Sequence, residues 1–335
     1  MIQPNFNLKS LNTFGINTQA TFYSAFTSSE EAFQALEKHR DVPHMILGGG
    51  SNVLFTQDFE GLILHNCILG KEVLEEDPSH VWVRYGAGEV WHEVVVHAIE
   101  NGWGGIENLS LIPGRIGAAP MQNIGAYGVE LKLVFESLEA LNLSSGQIET
   151  FDLESCEFGY RESVFKRALK GQHAITHVTL RLNKEHKINT SYGAIEAELE
   201  RLGIDNPGIS QVSQAVINIR QSKLPDPAQI GNGGSFFKNP VVPKQLATEL
   251  ASQHPNMPKY PAGEGHCKLA AGWLIDQSGW KGYRQGDYGV HDRQALVLVN
   301  HGNATGKQIF DLSQTILDDV KARFGIELER EVNVI

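Results

Sequence analysis

The chain is poor in cysteine, short of positive charge and without a long apolar run. Its three cysteines, Cys67, Cys156 and Cys267, are odd in number, far apart and form no CxxC pair. That pattern predicts free thiols in a reducing compartment, hence a cytoplasmic protein. Against 39 Asp and Glu stand only 28 Lys and Arg, a net charge of −11. So acidic a chain lacks the footprint of a nonspecific nucleic-acid binder. Leu269 to Ile275 is among the longest apolar stretches, well short of the ~18 residues of a membrane span. Residues 1–15 carry no basic-then-apolar leader. With 41% apolar and 20% charged residues, the composition excludes a disordered chain, a collagen and a coiled coil.

What is present is an α+β pattern punctuated by clustered glycines, 34 in 335 residues. At roughly 150 residues per domain, the length predicts two or three domains. Ser28-Ser29-Glu30-Glu31 has the form of a capping box and predicts a helix to about His39. Val42–Leu47, Gly61–His65 and Val81–Tyr85 read as strands, and Val90–Glu100 has helical spacing. Strand signals follow at Ser137–Leu143, Gln147–Asp152 and Ala174–Leu182. Helical stretches come next at Ala194–Leu202, Ser210–Arg220 and Pro243–His254. Gln294–Asn300 reads as a buried strand, and the tail Ile326–Ile335 as another. The clearest helix is Thr305–Gly325, with Ile309, Leu312, Ile316, Val320 and Phe324 at 3–4 spacing and Gly325 as its stop.

His92 and His97 come close to a zinc-protease motif, but the spacing fails. Two histidines five apart on a helix are rotated by about 140°, so they cannot share one metal. No metal site is expected. Gly48-Gly49-Gly50-Ser51-Asn52 follows an apolar strand and could turn successive N–H groups toward a diphosphate. It is equally suited to a tight structural turn. Leu111–Gly128 holds four glycines and two prolines with almost no charge. Such a segment can lie flat against a planar, partly apolar ring system. Together the two loops argue for a dinucleotide cofactor. Phe158-Gly159-Tyr160-Arg161 offers a planar cation for a carboxylate, although an ordinary ion pair would use the same residue. Gly231–Pro240 leaves Ser235 on a glycine-flanked turn, with Lys238 and Asn239 as anion donors. No glycine stands two residues after Ser235, which disfavours a hydrolase elbow.

These segments, with Ala271–Asp276 and Leu328–Val332, occur in one order and together resemble the UDP-N-acetylenolpyruvoylglucosamine reductase family. The resemblance runs from Asn12-Thr13-Phe14 to Glu331 and includes the family's tyrosine-loop insert around Tyr192. It implies an α+β fold: an FAD-binding domain of the vanillyl-alcohol-oxidase (PCMH) type, about 17–183, plus an α+β substrate-binding domain. The expected subdivision is 1–66 with the strand 326–335, then 67–184, then 185–325. Gly48, Gly49, Gly50, Ser51 and Asn52 would hold the FAD pyrophosphate. Ala118, Met121, Ile124, Gly125 and Tyr127 would line the flavin, with Ile175 nearby. The family's catalytic Arg, Ser and Glu fall on Arg161, Ser235 and Glu331. Tyr192, Lys223, Asn239 and Gln294 match positions meeting the substrate diphosphate, and Tyr260 and Lys268 lie on the substrate side.

Two departures stand out: Ala118-Ala119 replaces the commoner Gly or Ser, and Asn333 stands where relatives can carry Arg. The implied reaction reduces an enolpyruvyl ether with NADPH through noncovalent FAD, on a nucleotide-sugar substrate. No nucleic acid or membrane partner is implied, and a monomer is expected. The rival readings are a flavin oxidase or dehydrogenase of the same cofactor fold and an inert nucleotide-sugar binder. The joint presence of Arg161, Ser235 and Glu331 argues against the inert binder.

Overall fold

A computed structural model describes all of Met1–Ile335. The chain divides into two compact units. Unit 1 comprises Met1–Phe6, Ala20–Gly49 and Glu60–Ser222; unit 2 comprises Asn7–Gln19, Gly50–Phe59 and Lys223–Ile335.

Unit 1 contains two larger sheets and a two-stranded one that pairs Gly125–Ala126 with Val129–Glu130. The first orders its strands Gln3–Asn7, Gln19–Phe26, Phe59–Asn66 and His44–Leu47. Helix α1 (Ser29–Glu37) buries Ala32, Ala35 and Leu36, and these join Phe26, Leu62 and Leu64 in one apolar cluster. Its N-terminus is capped as expected, since Ser28 Oγ accepts from Glu31 N at 3.2 Å. The reciprocal bond is displaced by one residue, because the Glu31 carboxylate accepts from Thr27 N at 2.7 Å rather than from the cap residue.

The second sheet has five antiparallel strands in the order Ile148–Asp152, Phe135–Asn142, His173–Asn183, His80–Gly86 and Lys71–Glu76. Alternate residues of His80–Gly86 (Val81, Val83, Tyr85) are fully buried, as the period of an extended chain requires. They pack with helix α2 (Trp91–Glu100), whose Trp91, Val94, Val95 and Ala98 point inward. Lys71–Glu76 is an exposed edge strand that leaves no mark in the sequence, since its charged, solvated residues carry no buried alternation. Helices α3 (Gly193–Arg201) and α4 (Ile209–Lys223) form their own small core of Ile195, Leu199, Val212, Ala215, Val216 and Ile219. That core is packed by Tyr127 and Ile188, so residues 185–222 compact with unit 1 and the expected break at 184/185 is not a boundary between compact units.

Unit 2 carries a sheet ordered Gly231–Ser235, Val297–Asn300, Tyr288–Val290 and Arg284–Gln285, and a smaller one ordered Val241–Pro243, His266–Leu269 and Lys259–Pro261. Helices α5 (Lys244–Gln253), α6 (Ala271–Gln277) and α7 (Gly306–Phe324) cover them. Helix α7 has a full capping box between Thr305 and Gln308 and stops at Gly325 in the left-handed conformation, φ 67°.

The expected strand 294–300 begins only at Val297, because Gln294 to Val297 closes a turn through Val297 N and Gln294 O at 3.0 Å. The tail is likewise not one strand. Glu329 and Glu331 bond the backbone of Lys238 and Phe236, after which Asn333–Val334 pairs in parallel with Val53–Leu54. Serving two partners in turn breaks the ladder.

Candidate active site

Within unit 1 the two glycine-rich loops touch. A Cβ built on Gly49 would lie 3.1 Å from Gly114 Cα, and one on Gly48 would lie 3.8 Å from Arg115 Cβ. Gly50, the next residue and part of unit 2, has φ +59°, and its Cβ position falls 1.9 Å from Leu11 O. Only glycine fits there. The N–H groups of Gly49 and Gly50 donate to no acceptor in the protein, and Gly50 is buried. A turn presenting N–H donors of this kind suits a diphosphate, so these residues fit the FAD pyrophosphate. The Asn52 carboxamide is committed elsewhere, donating to Glu331 O at 3.2 Å.

The 111–128 segment is held by its backbone. Ile116 N and Gly117 N donate to Glu89 O and Ala87 O, and the Gly117 Cβ position is 2.5 Å from Ala87 Cβ. Ala118 is exposed, Met121 is partly buried, and its carbonyl accepts from Ser163 Oγ at 2.7 Å. Ile124 and Ile175 belong to the apolar core. Asn123 and Tyr127 both hold positive φ, 42° and 49°. Non-glycine residues in this region are strained and cluster at functional sites.

Arg161 shares that strain, with φ 57° in the two-residue turn of Gly159–Glu162. Its Nη2 donates to Gly125 O at 2.7 Å, and its guanidinium lies 5.6 Å from the Tyr160 ring centroid. A Cβ at Gly125 would come within 2.9 Å of Glu130 Cγ and 3.3 Å of Arg161 Nη1, so glycine there lets the arginine approach. Tyr192 precedes α3, is 49% exposed, and meets Tyr127 edge to face with centroids 5.3 Å apart.

In unit 2, Ser235 closes its strand opposite Val297, directly after Gly234 at φ 71°. The next residue, Phe236, accepts through its carbonyl from Glu331 N at 2.8 Å. Phe237 bridges Arg330, and Lys238 N donates to Glu329 O at 2.9 Å. Ser235 and Glu331 are thus carried on facing segments of one backbone ladder. Lys238 Nζ pairs with Glu329 at 3.0 Å, so the cation nearest Ser235 in sequence has a carboxylate partner.

Asn239 Oδ1 accepts from Ala271 N at 3.0 Å, at the start of α6. Gln294 Oε1 would lie 3.1 Å from a Cβ on the next residue, Gly272. Tyr260 and Lys268 are register partners on adjacent strands. Lys223, at the end of α4, is exposed.

His92 and His97 serve the scaffold: His92 Nδ1 accepts from Leu111 N at 3.0 Å, and His97 Nδ1 lies 3.1 Å from the Tyr85 hydroxyl. Burial holds both below the usual histidine pKa. No cluster of three His, Cys, Asp or Glu side chains is placed to hold a metal ion. No helix is long and apolar enough to cross a membrane. Two residues that carry no sequence signal, Asn108 and Arg220, also touch this region. Asn108 Nδ2 donates to Tyr127 O at 3.1 Å and Asn189 O at 2.9 Å. Arg220 bonds Leu111 and Tyr127.

Residues 226–335 match the C-terminal domain model of UDP-N-acetylenolpyruvoylglucosamine reductase, and 25–152 match an FAD binding domain model. The chain is 52% identical over 336 residues to the reductase of Amoebophilus asiaticus, covering 100% of this chain and 99% of that one. It is 50% identical over 335 residues to that of Flavobacterium johnsoniae, covering 100% and 99%. Among solved structures, the reductase of Thermus caldophilus superposes with a TM-score of 0.69 at 24% identity, covering 100% and 98%. A 6-hydroxy-D-nicotine oxidase from Arthrobacter nicotinovorans shares the fold, with a TM-score of 0.53 at 11% identity, covering 98% and 86%. Identity near one half along the full length, with both domain models matched in order, shows that the chain belongs to the UDP-N-acetylenolpyruvoylglucosamine reductase family.

Proposed function

We propose that this protein reduces the enolpyruvyl ether of UDP-N-acetylglucosamine to UDP-N-acetylmuramate, with NADPH as hydride donor and FAD as bound cofactor. Arg161, Ser235 and Glu331 act on the enolpyruvyl group. FAD bound beside them would supply the redox chemistry, relaying hydride from NADPH to the terminal carbon of that group. Gly48, Gly49, Gly50 and Ser51 would hold its pyrophosphate; Ala118, Met121, Ile124, Gly125, Tyr127 and Ile175 would form the flavin's surroundings. Negative charge then builds on the adjacent carbon and its carboxylate. Arg161, whose orientation is fixed by the Gly125 carbonyl, supplies a preorganised cation for that charge. Ser235 Oγ donates the proton that completes reduction, and Glu331 assists when protonated or water-linked. Tyr192, Lys223, Asn239, Gln294, Tyr260 and Lys268 bind the nucleotide-sugar, a remote anchor that positions the reacting end.

The observation that carries this reading is the Phe236–Glu331 backbone bond, which joins the segments bearing the proposed acid and its carboxylate partner. We also propose a cytoplasmic monomer. The test is an absorption spectrum of the purified protein before and after anaerobic NADPH, followed by the enolpyruvyl substrate. Bleaching by NADPH and recovery of the oxidised spectrum on substrate addition supports the proposal. A flavin that bleaches with a hydroxylated substrate but not with NADPH points to an oxidase instead.

A further inference from the structure

Leu111 and Tyr127 stand near the two ends of the 111–128 segment, and both are non-glycine residues at positive φ, 60° and 49°. Their polar groups are held by side chains. Leu111 N donates to His92 Nδ1 at 3.0 Å, and Leu111 O accepts from Arg220 Nε at 3.2 Å. Tyr127 O accepts from Asn108 Nδ2, while the Tyr127 phenol hydrogen-bonds the Arg220 guanidinium. One side chain on α4 therefore reaches both ends of the loop. Beside it, Ser213 Oγ of the same helix lies 2.7 Å from Ser110 Oγ.

Arg220 is unusual in its charge environment. No carboxylate forms an ion pair with it, and its strongest electrostatic partner is the neutral Tyr127 phenol. Some of the residue remains accessible, yet desolvation is the largest influence on the guanidinium and pulls its pKa below the ordinary arginine value. Desolvating a cation without a counter-ion is costly. A methionine or leucine would pack this helix face without that cost, so the helix-packing role alone does not account for arginine.

We propose that Arg220 is a positioning residue for the flavin reaction. It clasps Leu111 and Tyr127, fixing the strained ends of the loop so that Tyr127 presents its ring to the cofactor. The proposal rests on the reading that Tyr127 lines the flavin. A planar guanidinium suits the task because its fork bonds a carbonyl and a phenol at once, which a lysine ammonium on a flexible stem does less well. Misplacement of reacting groups by about 1 Å can lower a rate ~10²-fold, which sets the scale of the expected effect.

The test compares Arg220→Met, Arg220→Lys, Tyr127→Phe and the double variant Arg220→Met/Tyr127→Phe as FAD-loaded proteins. Four quantities are measured: the visible circular dichroism of bound FAD, the FAD dissociation constant, the melting temperature, and the rate of flavin bleaching by NADPH. Arg220→Met is expected to change the visible dichroism and slow bleaching by about 10- to 100-fold, with Arg220→Lys recovering part of both. Because the arginine acts through Tyr127, the double variant is expected to match the more impaired single variant rather than multiply the losses. A lowered melting temperature with unchanged dichroism and bleaching overturns the proposal and leaves Arg220 as a packing residue. Altered dichroism in Tyr127→Phe but not in Arg220→Met overturns the clasp while keeping Tyr127 at the flavin. No change in either overturns both. If Arg220→Met fails to fold, Tyr127→Phe and Arg220→Lys still decide, since both must disturb the dichroism if the clasp matters.

Discussion

The Tyr192 ring stands edge-on against the Tyr127 ring, with centroids 5.3 Å apart and planes at 87°. Tyr192 is 49% exposed and opens helix α3 through its carbonyl, which accepts from Ile195 N at 2.8 Å. The ring therefore leans on the loop proposed for the flavin while much of its surface faces solvent.

That placement separates capture of substrate from support of the fold. Tyr192→Phe keeps the ring contact and removes the phenolic donor, worth roughly 0.5–1.5 kcal/mol for a neutral hydrogen bond and about 1.5–3 to a charged group. Substrate affinity is expected to weaken by about 3- to 100-fold, with the melting temperature almost unchanged. Titration of the enolpyruvyl substrate and a thermal melt check this; intact affinity with a clear drop in melting temperature would make Tyr192 an anchor.

Ser235→Ala is expected to split the reaction. Bleaching of the flavin by NADPH needs no proton from Ser235 and stays near normal. Reoxidation by the enolpyruvyl substrate slows by ~10²–10⁴-fold, the usual range for loss of a general acid. Stopped-flow measurement of the two half-reactions tests this, and equal losses in both would assign the serine to structure.

The glycine turn gives a contrast between neighbours. Gly50→Ala places a Cβ 1.9 Å from Leu11 O at φ +59°. The left-handed backbone alone costs about 1–2 kcal/mol, so a sharply lowered melting temperature or insoluble protein is expected. Gly48→Ala meets nothing nearer than Arg115 Cβ at 3.8 Å. It should fold normally and report only on FAD affinity. A Gly50→Ala protein as stable as the parent would refute the close packing.

Cys156 is fully buried, and burial pushes its thiol pKa up to about 12. Cys67 and Cys267 are partly exposed. At pH 8 a thiol reagent is expected to label at most two cysteines in the native protein and all three after denaturation. Labelling of Cys156 without unfolding would contradict its burial.

Much of this organisation was legible in the residues. Helix α7 could be read end to end, because its 3–4 apolar spacing and its Gly325 stop agree. The central strands also showed, since buried alternation marks Val81, Val83 and Tyr85. The edge strand Lys71–Glu76 did not, because a fully exposed strand has no buried face to leave a pattern. In the site, glycine clustering marked both loops. Arg220 and Asn108 were invisible for a different reason. An arginine on a helix reads as a solvated face, and nothing local to it announces the carbonyl of Leu111, 109 residues away.

The ladder between Phe236–Lys238 and Glu329–Glu331 is made by main-chain atoms. Conservative changes at Phe237, which is buried in the unit 2 core, or at Arg330, which donates to Ser313 Oγ at 2.8 Å, keep the main-chain pairing that places Glu331. An added or missing residue cannot be absorbed in the same way, because a shift of one position turns each extended side chain to the opposite face. The short run from the αL stop at Gly325 to Glu331 therefore works as a ruler whose length sets the register. A chain altered there by a single inserted residue would still carry every proposed catalytic side chain, yet a slip of the pairing would turn Glu331 to the opposite face of its segment.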